Sequence, residues 1–383
     1  MSSLSQDRRL GSRLWSALIV IGIGLYYILL SWLYSIEGEN IQTVGRTREY
    51  QNASIEPTSG LSQDTINTAF THQLTSTNHT HSETHRISNA SQSTVSHYIY
   101  EPTVHCSDGK TYLIYVYSGR NRTDRRQLIR NTWGRLDQYR DLSINLQLFF
   151  VLGSSGDEPT KSKNSTNQDI ILEKEAVHYG DILMCDAIDS YKNLTLKGLA
   201  ALKWINSSCD RTTLEFIFKT DDDVYVSLWN VLDLAAKAIQ TGSHFLCVNN
   251  PNGAVIRRGK WGVSKDQLAE ERYPEYCLGG GYGMTLRGFD LLMNSVDKVP
   301  IFPIEDAFFT SLAIRWAYPQ TNLRYYNISY SRARMLYSES KIDKLIMNRS
   351  GSLQTFILGH PIPTNMWLKL HDALESDRRV PDV

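Results

Sequence analysis

Beyond about Glu101 the chain alternates strand-like and helix-like blocks, and this rhythm restricts its fold more than any other feature. Apolar, aromatic-rich runs at 111–119 ("TYLIYVYSG"), 145–153 ("NLQLFFVLG") and 214–220 ("LEFIFKT") predict strands. Between them, 123–134, 167–180 and 190–209 carry helical spacing. Thr123 or Asp124 is placed to cap the first helix and Gly180 to stop the second, while Leu196, Leu199, Ala200 and Trp204 share one face of the third. Strands joined through helices of this length imply right-handed crossovers and a largely parallel sheet covered on both faces. The expectation is an α/β domain over residues 100–383, with ligands bound beyond the carboxyl ends of its strands.

Two segments of different texture precede that domain. Leu14 to Ile36 form an uncharged, mostly apolar run of 23 residues, which as a helix is about 35 Å long and able to cross a bilayer. Arg8, Arg9 and Arg13 precede the run and Glu37 and Glu39 follow it, so residues 1–13 are expected in the cytosol and everything after the 14–36 anchor on the lumenal side. A cleaved signal peptide is the competing reading, but the apolar run is too long and no small-residue site ends it cleanly. Residues 37–99, rich in Ser, Thr, Asn, Gln and His without periodicity, read as a flexible stem. Within it His79, His81 and His85 form either a metal site or a solvated polar tract.

N-x-S/T sequons at Asn52, Asn78, Asn89, Asn121, Asn164, Asn193, Asn206, Asn327 and Asn348 fit a glycosylated lumenal protein. Cys106, Cys185, Cys209, Cys247 and Cys277 show no C-x-x-C spacing, so in an oxidising compartment up to two disulfides and one thiol are expected, with the pairing open. The 40 basic and 40 acidic residues cancel, which gives no reason to expect a nucleic-acid partner.

The strand at 214–220 runs into Asp221, Asp222 and Asp223. On an extended segment Asp221 and Asp223 would converge while Asp222 faces away. Two carboxylates about 4 Å apart repel by roughly 4 kcal/mol at an effective dielectric near 20, which a divalent cation would reverse; an exposed acidic turn or helix cap is the alternative. Glu305 and Asp306 follow Pro303 at an expected helix start, where either the helix dipole or a general-base role accounts for them. Gly279, Gly280, Gly281 and Gly283 allow unusual backbone angles and a close ligand approach. Arg125, Arg126 and Arg130 could face a diphosphate or simply lie on a helix surface, and His360 ends a strand-like stretch.

Taken in order, "RRQLIRNTWG" (125–134), "FFVLG" (149–153), the block 179–204, "FKTDDDVYV" (218–226), "YPEYCLGGGYGMT" (273–285), "PIEDAFFTSLA" (303–313) and "GHPIPTNMWLKL" (359–370) resemble glycosyltransferase family 31. This family comprises inverting β-1,3-galactosyltransferases and β-1,3-N-acetylglucosaminyltransferases, and the resemblance covers nearly all of 110–372. It implies a GT-A fold, Rossmann-like, in a single-pass type II Golgi membrane protein. It also implies a UDP-sugar donor, a glycan acceptor and Mn²⁺ as cofactor. By this resemblance Asp223 and His360 are metal ligands, Asp221 and Asp222 lie by the donor ribose and metal, and Asp306 is the catalytic base with Glu305 in support. Arg126, Arg130, Gly280 and Gly281 fall on the donor side.

The family pattern E-D-V-x-x-G is here Glu305-Asp306-Ala307-Phe308-Phe309-Thr310, so packing on the acceptor side is expected to differ. The Glu before the base is commoner in galactosyl members, which favours UDP-galactose over UDP-N-acetylglucosamine. A catalytically silent Golgi glycan-binding or chaperone protein is the reading from another class. The acceptor and the question of a homo-oligomer stay open.

Overall fold

The computed structural model describes residues 97–106, 109–156, 167–329, 332–334, 338–347 and 354–378. The expected anchor and residues 37–96 of the expected stem lie outside these residues, whereas Tyr98 and Ile99, assigned to the stem from sequence, belong to the first strand of the fold; among the described residues no helix is long and apolar enough to cross a membrane.

Elements follow in the order β1 (Tyr98–Tyr100), β2 (Thr111–Tyr117), α1 (Thr123–Asn131), β3 (Asn145–Ser154), α2 (Asn167–Tyr179), β4 (Ile182–Ile188), α3 (Leu194–Ser208), β5 (Leu214–Asp221), β6 (Tyr225–Val226) and α4 (Leu228–Gln240). They continue with β7 (Phe245–Asn250), β8 (Tyr276–Thr285), α5 (Leu286–Val296), the helical segment 305–317 as α6, β9 (Tyr325–Asn327), β10 (Ala333–Arg334), α7 (Glu339–Met347), β11 (Leu358–Gly359) and α8 (Thr364–Arg378). An eight-stranded sheet has the order β1-β4-β3-β2-β5-β8-β7-β9, and a small sheet joins β10, β11 and β6.

The sheet is mixed. β4, β3, β2 and β5 run parallel, as do β7 and β9, while β1 pairs with β4 and β8 pairs with both β5 and β7 in antiparallel fashion. The largely parallel expectation thus holds across β4, β3, β2 and β5 and again between β7 and β9, with β1 and β8 as the antiparallel strands. β2 is buried along its whole length, as a strand covered on both faces must be. Its side chains alternate between two cores: Tyr112, Ile114 and Val116 pack with residues of α1, α4 and α8, whereas Leu113, Tyr115 and Tyr117 pack with α3, α5 and α6.

The chain leaves β2 for β3 on one side and returns to β5 on the other, so the strand order reverses at β2. The ends of β2 and β5 therefore splay around a crevice at the topological switch point.

Several expectations need correction. The strand β4 was not anticipated, and "YCLGGGYGMT", whose glycines were expected to allow unusual backbone angles, is the long strand β8. Neither Thr123 nor Asp124 caps α1; Arg122 holds the cap position without a side-chain bond, and Thr123 is the first helical residue. Disulfides join Cys106 to Cys209 and Cys247 to Cys277, leaving Cys185 as a buried thiol. Of the sequons within the described residues, Asn121, Asn206 and Asn327 are exposed.

The C-terminal segment is bound into the fold. Trp367 is fully buried and its indole N–H donates to Thr132 Oγ1 at 2.9 Å. The amide of Ile362 donates to the Asp223 carbonyl at 3.0 Å, and β11 pairs with β6 just beyond the triple Asp.

Candidate active site

A cavity of about 770 Å³ opens at the switch point. Its lining includes Ser118 to Arg122 apart from Arg120, then Asp221, Asp222 and Asp223, then Gly279, Gly280, Glu305, Asp306 and His360. The two acidic motifs, Asp221–Asp223 and Glu305–Asp306, far apart in sequence, thus face one space.

The three aspartates take three different partners. β5 ends at Asp221, so the alternation of an extended strand does not carry through Asp222 and Asp223, which lie in a turn. Asp221 Oδ1 lies 2.8 Å from Lys219 Nζ. Asp222 is buried and accepts from Ser118 Oγ at 2.7 Å, and burial raises its pKa. Asp223 Oδ1 lies 3.5 Å from His360 Nε2. Burial alone would raise the Asp223 carboxyl, but the facing imidazole outweighs it and holds the group below the ordinary value.

Among the described residues no three His, Cys, Asp or Glu side chains gather to hold a metal by themselves. The pair Asp223 and His360 supplies one carboxylate oxygen and one imidazole nitrogen. That donor set fits a divalent ion such as manganese when a substrate's diphosphate oxygens complete the sphere.

Lys219 was not singled out by sequence, although a lone lysine inside an apolar strand just before three acids could have been. It is 2% exposed, donates to Gly279 O at 2.8 Å, and lies 3.7 Å from Glu305 Oε2. Its ammonium also sits 4.6 Å from the Tyr117 ring centroid. Burial would push this lysine's pKa down, but Asp221 and Glu305 reverse that and raise it. Glu305 accepts from Tyr282 at 2.5 Å and from Tyr117 at 3.1 Å. Burial lifts its pKa to about 7, opposed by Lys219 and assisted by Asp306. One buried network thus ties the ends of β2, β5 and β8 to the start of α6.

Asp306 occupies the first turn of α6, where its Oδ1 accepts from the Ala307 amide at 2.8 Å. Burial raises its pKa, which strengthens it as a base. A Cβ at Gly279 would fall 2.9 Å from Asp306 Oδ2, so that glycine keeps the carboxylate's place clear. Thr310, where the family pattern has Gly, donates to the Asp306 carbonyl at 2.6 Å and accepts from the Cys277 amide at 3.0 Å, fastening α6 to β8. Its neighbourhood is a π turn, Phe308–Leu312, of the kind that concentrates at functional sites.

Other expected site residues stand elsewhere. Arg126 is fully buried and forks onto Glu175 at 2.8 and 2.7 Å while donating to Ser118 Oγ and Gly119 O. It braces the loop after β2 and does not line the cavity. Arg130 pairs with Asp181 through two bonds of 2.8 Å and with Glu175 at 2.9 Å, again off the cavity. The exposed cations that do line the crevice are Arg122 and Lys260, neither of which stands out in the sequence. Gly280 lines the cavity and Gly281 does not; a Cβ on Gly281 would meet Leu358 and Phe218. The glycine run therefore serves close packing within an extended strand rather than unusual backbone angles.

Comparison with known proteins places the chain in a family. The family described as Galactosyltransferase matches residues 124–324. Beta-1,3-galactosyltransferase 5 of Pan paniscus is 30% identical over 210 residues, 54% of this chain and 66% of the relative. The acetylgalactosaminyl-O-glycosyl-glycoprotein beta-1,3-N-acetylglucosaminyltransferase of Mus musculus is 34% identical over 204 residues, 52% of this chain and 50% of the relative. The chain thus spans just under two thirds of the first relative's length and half of the second's. With over half of its residues matched, the chain belongs to the galactosyltransferase family, glycosyltransferase family 31.

Proposed function

We propose that the chain transfers galactose from UDP-galactose to the 3-hydroxyl of a glycan acceptor, with inversion to a β-1,3 linkage, using Mn²⁺ in a GT-A type site. The observation that carries this reading is the single cavity shared by Asp223, His360 and Asp306 at the reversal of strand order. In this reading the protein is a type II Golgi membrane enzyme with its α/β domain in the lumen.

Asp223 and His360 would hold the metal, which when bound supplies positive charge against the diphosphate leaving group. Ser118, Gly119, Asn121 and Arg122 border the nucleotide's place, and the Arg122 guanidinium adds a cation to the diphosphate. Asp306 takes the proton from the attacking hydroxyl, and its raised pKa suits it to that transfer. Lys219 keeps Asp221 and Glu305 paired so that Asp306 stands on a rigid turn. Direct attack with inversion needs one base and no protein nucleophile; of the two carboxylates at the start of α6, Glu305 is taken up by Tyr117, Tyr282 and Lys219, which leaves Asp306 for that role.

A β-1,3-N-acetylglucosaminyltransferase is the second reading, favoured by the relative at 34% identity. Full-length protein in detergent, given UDP-galactose or UDP-N-acetylglucosamine with Mn²⁺ and a panel of β-glycosides, separates the two. Galactose transfer giving a β-1,3 product by NMR is expected. Turnover of UDP-N-acetylglucosamine alone would reverse the donor assignment, and an α-linked product would remove the inverting mechanism.

A further inference from the structure

The cavity also carries an aromatic platform that the chemistry above does not use. Trp261 is 51% exposed and Tyr191 46% exposed, and both line the space that holds Asp306. The indole N–H donates to the Tyr191 hydroxyl at 2.7 Å, and Lys260 Nζ lies 4.1 Å from the Tyr191 ring centroid and 5.4 Å from that of Trp261.

The loop presenting Trp261 is built rather than loose. Val255, Val263 and Leu268 are buried, the Val263 amide donates to Ile256 O at 2.8 Å, and Arg257 donates to Leu268 O at 2.7 Å and Glu270 O at 2.5 Å. Two large rings are therefore held open to water on firm supports, beside a catalytic carboxylate. Such rings are expected to meet a ligand with an apolar face. The platform belongs neither to the loop after β2 nor to the Asp223–His360 pair. Burial raises the Tyr191 phenol, and among the charges that raise it further Asp306 comes first, which sets the platform within electrostatic reach of the base.

We propose that Trp261, steadied by Tyr191, is the stacking face of the acceptor subsite and takes a hexopyranoside with an equatorial 3-hydroxyl. A pyranose ring presents C–H groups on its faces and hydroxyls at its edge, so laying one face on the indole leaves the 3-hydroxyl free to turn toward Asp306. Lys260 lies closer to the Tyr191 ring, at 4.1 Å, than to the Trp261 ring, at 5.4 Å, which makes the indole the more open of the two for stacking. This inference rests on the glycosyl-transfer reading above.

The test uses the full chain in detergent, with methyl β-N-acetylglucosaminide and methyl β-galactoside as probes in saturation-transfer NMR, alongside steady-state kinetics. Saturation should be strongest on the C–H groups of one ring face and should be lost in Trp261→Ala and partly kept in Trp261→Phe. Acceptor KM should rise about tenfold or more in Trp261→Ala, with donor KM and the slow hydrolysis of UDP-sugar without acceptor unchanged. Trp261 is half exposed, so both variants should fold, and circular dichroism checks this. Undiminished saturation with an unchanged acceptor KM overturns the proposal, and so does a rise confined to donor KM. Wild type that binds the glycosides but cleaves no UDP-sugar would remove the glycosyl-transfer reading and leave the stacking site standing; wild type that transfers sugar while Trp261→Ala behaves identically would do the opposite.

Discussion

Replacing Glu305 by Gln should make the protein more stable relative to wild type as pH rises, the reverse of what losing an ordinary ion pair does. Burial lifts the Glu305 carboxyl from 4.5 to about 7, with Lys219 opposing only part of the shift. Between those values the folded protein keeps a proton that the unfolded chain has released, so this group's contribution falls as pH rises through the window. At about 1.36 kcal/mol per pH unit, roughly 3 kcal/mol present at the lower end is gone at the upper end. Glu305→Gln has no such titration. Its amide oxygen can still accept from Tyr117 and Tyr282, while its NH₂ turns a donor toward Lys219, adding an offset that does not vary across this range. The diagnostic is therefore the slope of the difference between the two proteins. Urea unfolding of both, from about pH 4.5 to about pH 7.5, measures it. A difference constant to within about 0.5 kcal/mol would refute the argument. Wild type gaining on the variant with pH would instead make Glu305 an ordinary partner of Lys219.

Asp306→Asn should lower transfer by roughly 10²- to 10⁴-fold while UDP still binds in calorimetry; unchanged turnover would remove Asp306 as the base. Chelation should abolish transfer and added Mn²⁺ restore it, and His360→Ala should need about tenfold or more metal for half-maximal rate. Activity indifferent to the chelator would discard the metal assignment. Arg126→Met leaves Glu175 with Arg130 as its remaining ion-pair partner and should cost about 3 kcal/mol in urea unfolding. Loss of donor affinity at full stability would return Arg126 to the donor site.

The parallel half of the fold was readable because β2, β3 and β5 are buried on both faces and show as near-continuous apolar runs. β4 was harder: it begins two residues after Gly180, without a loop to announce it, and carries Asp186 within its run. β8 hid behind its glycines, which weaken a strand taken alone. Tertiary neighbours explain them, since a Cβ on Gly283 would lie 2.1 Å from the Phe216 ring and one on Gly279 would crowd Asp306. The triple Asp, Glu305, Asp306 and His360 were legible as chemistry. Their separate partners were not, because Ser118, Lys219 and Tyr282 reach them only through the folded sheet. Arg126 and Arg130 misled for the same reason: a cation on a helix gives no sign of a Glu175 buried on the next one.

The family match ends at residue 324, yet His360 and the strand holding it beside Asp223 come later. Trp367, fully buried and bonded to Thr132 at the end of α1, closes the core that the match opens. The smallest piece worth expressing therefore runs through α8, at least to residue 378. A fragment cut at the boundary of recognisable similarity would lose one half of its candidate metal pair and expose the apolar wall of β2 and α1 to solvent.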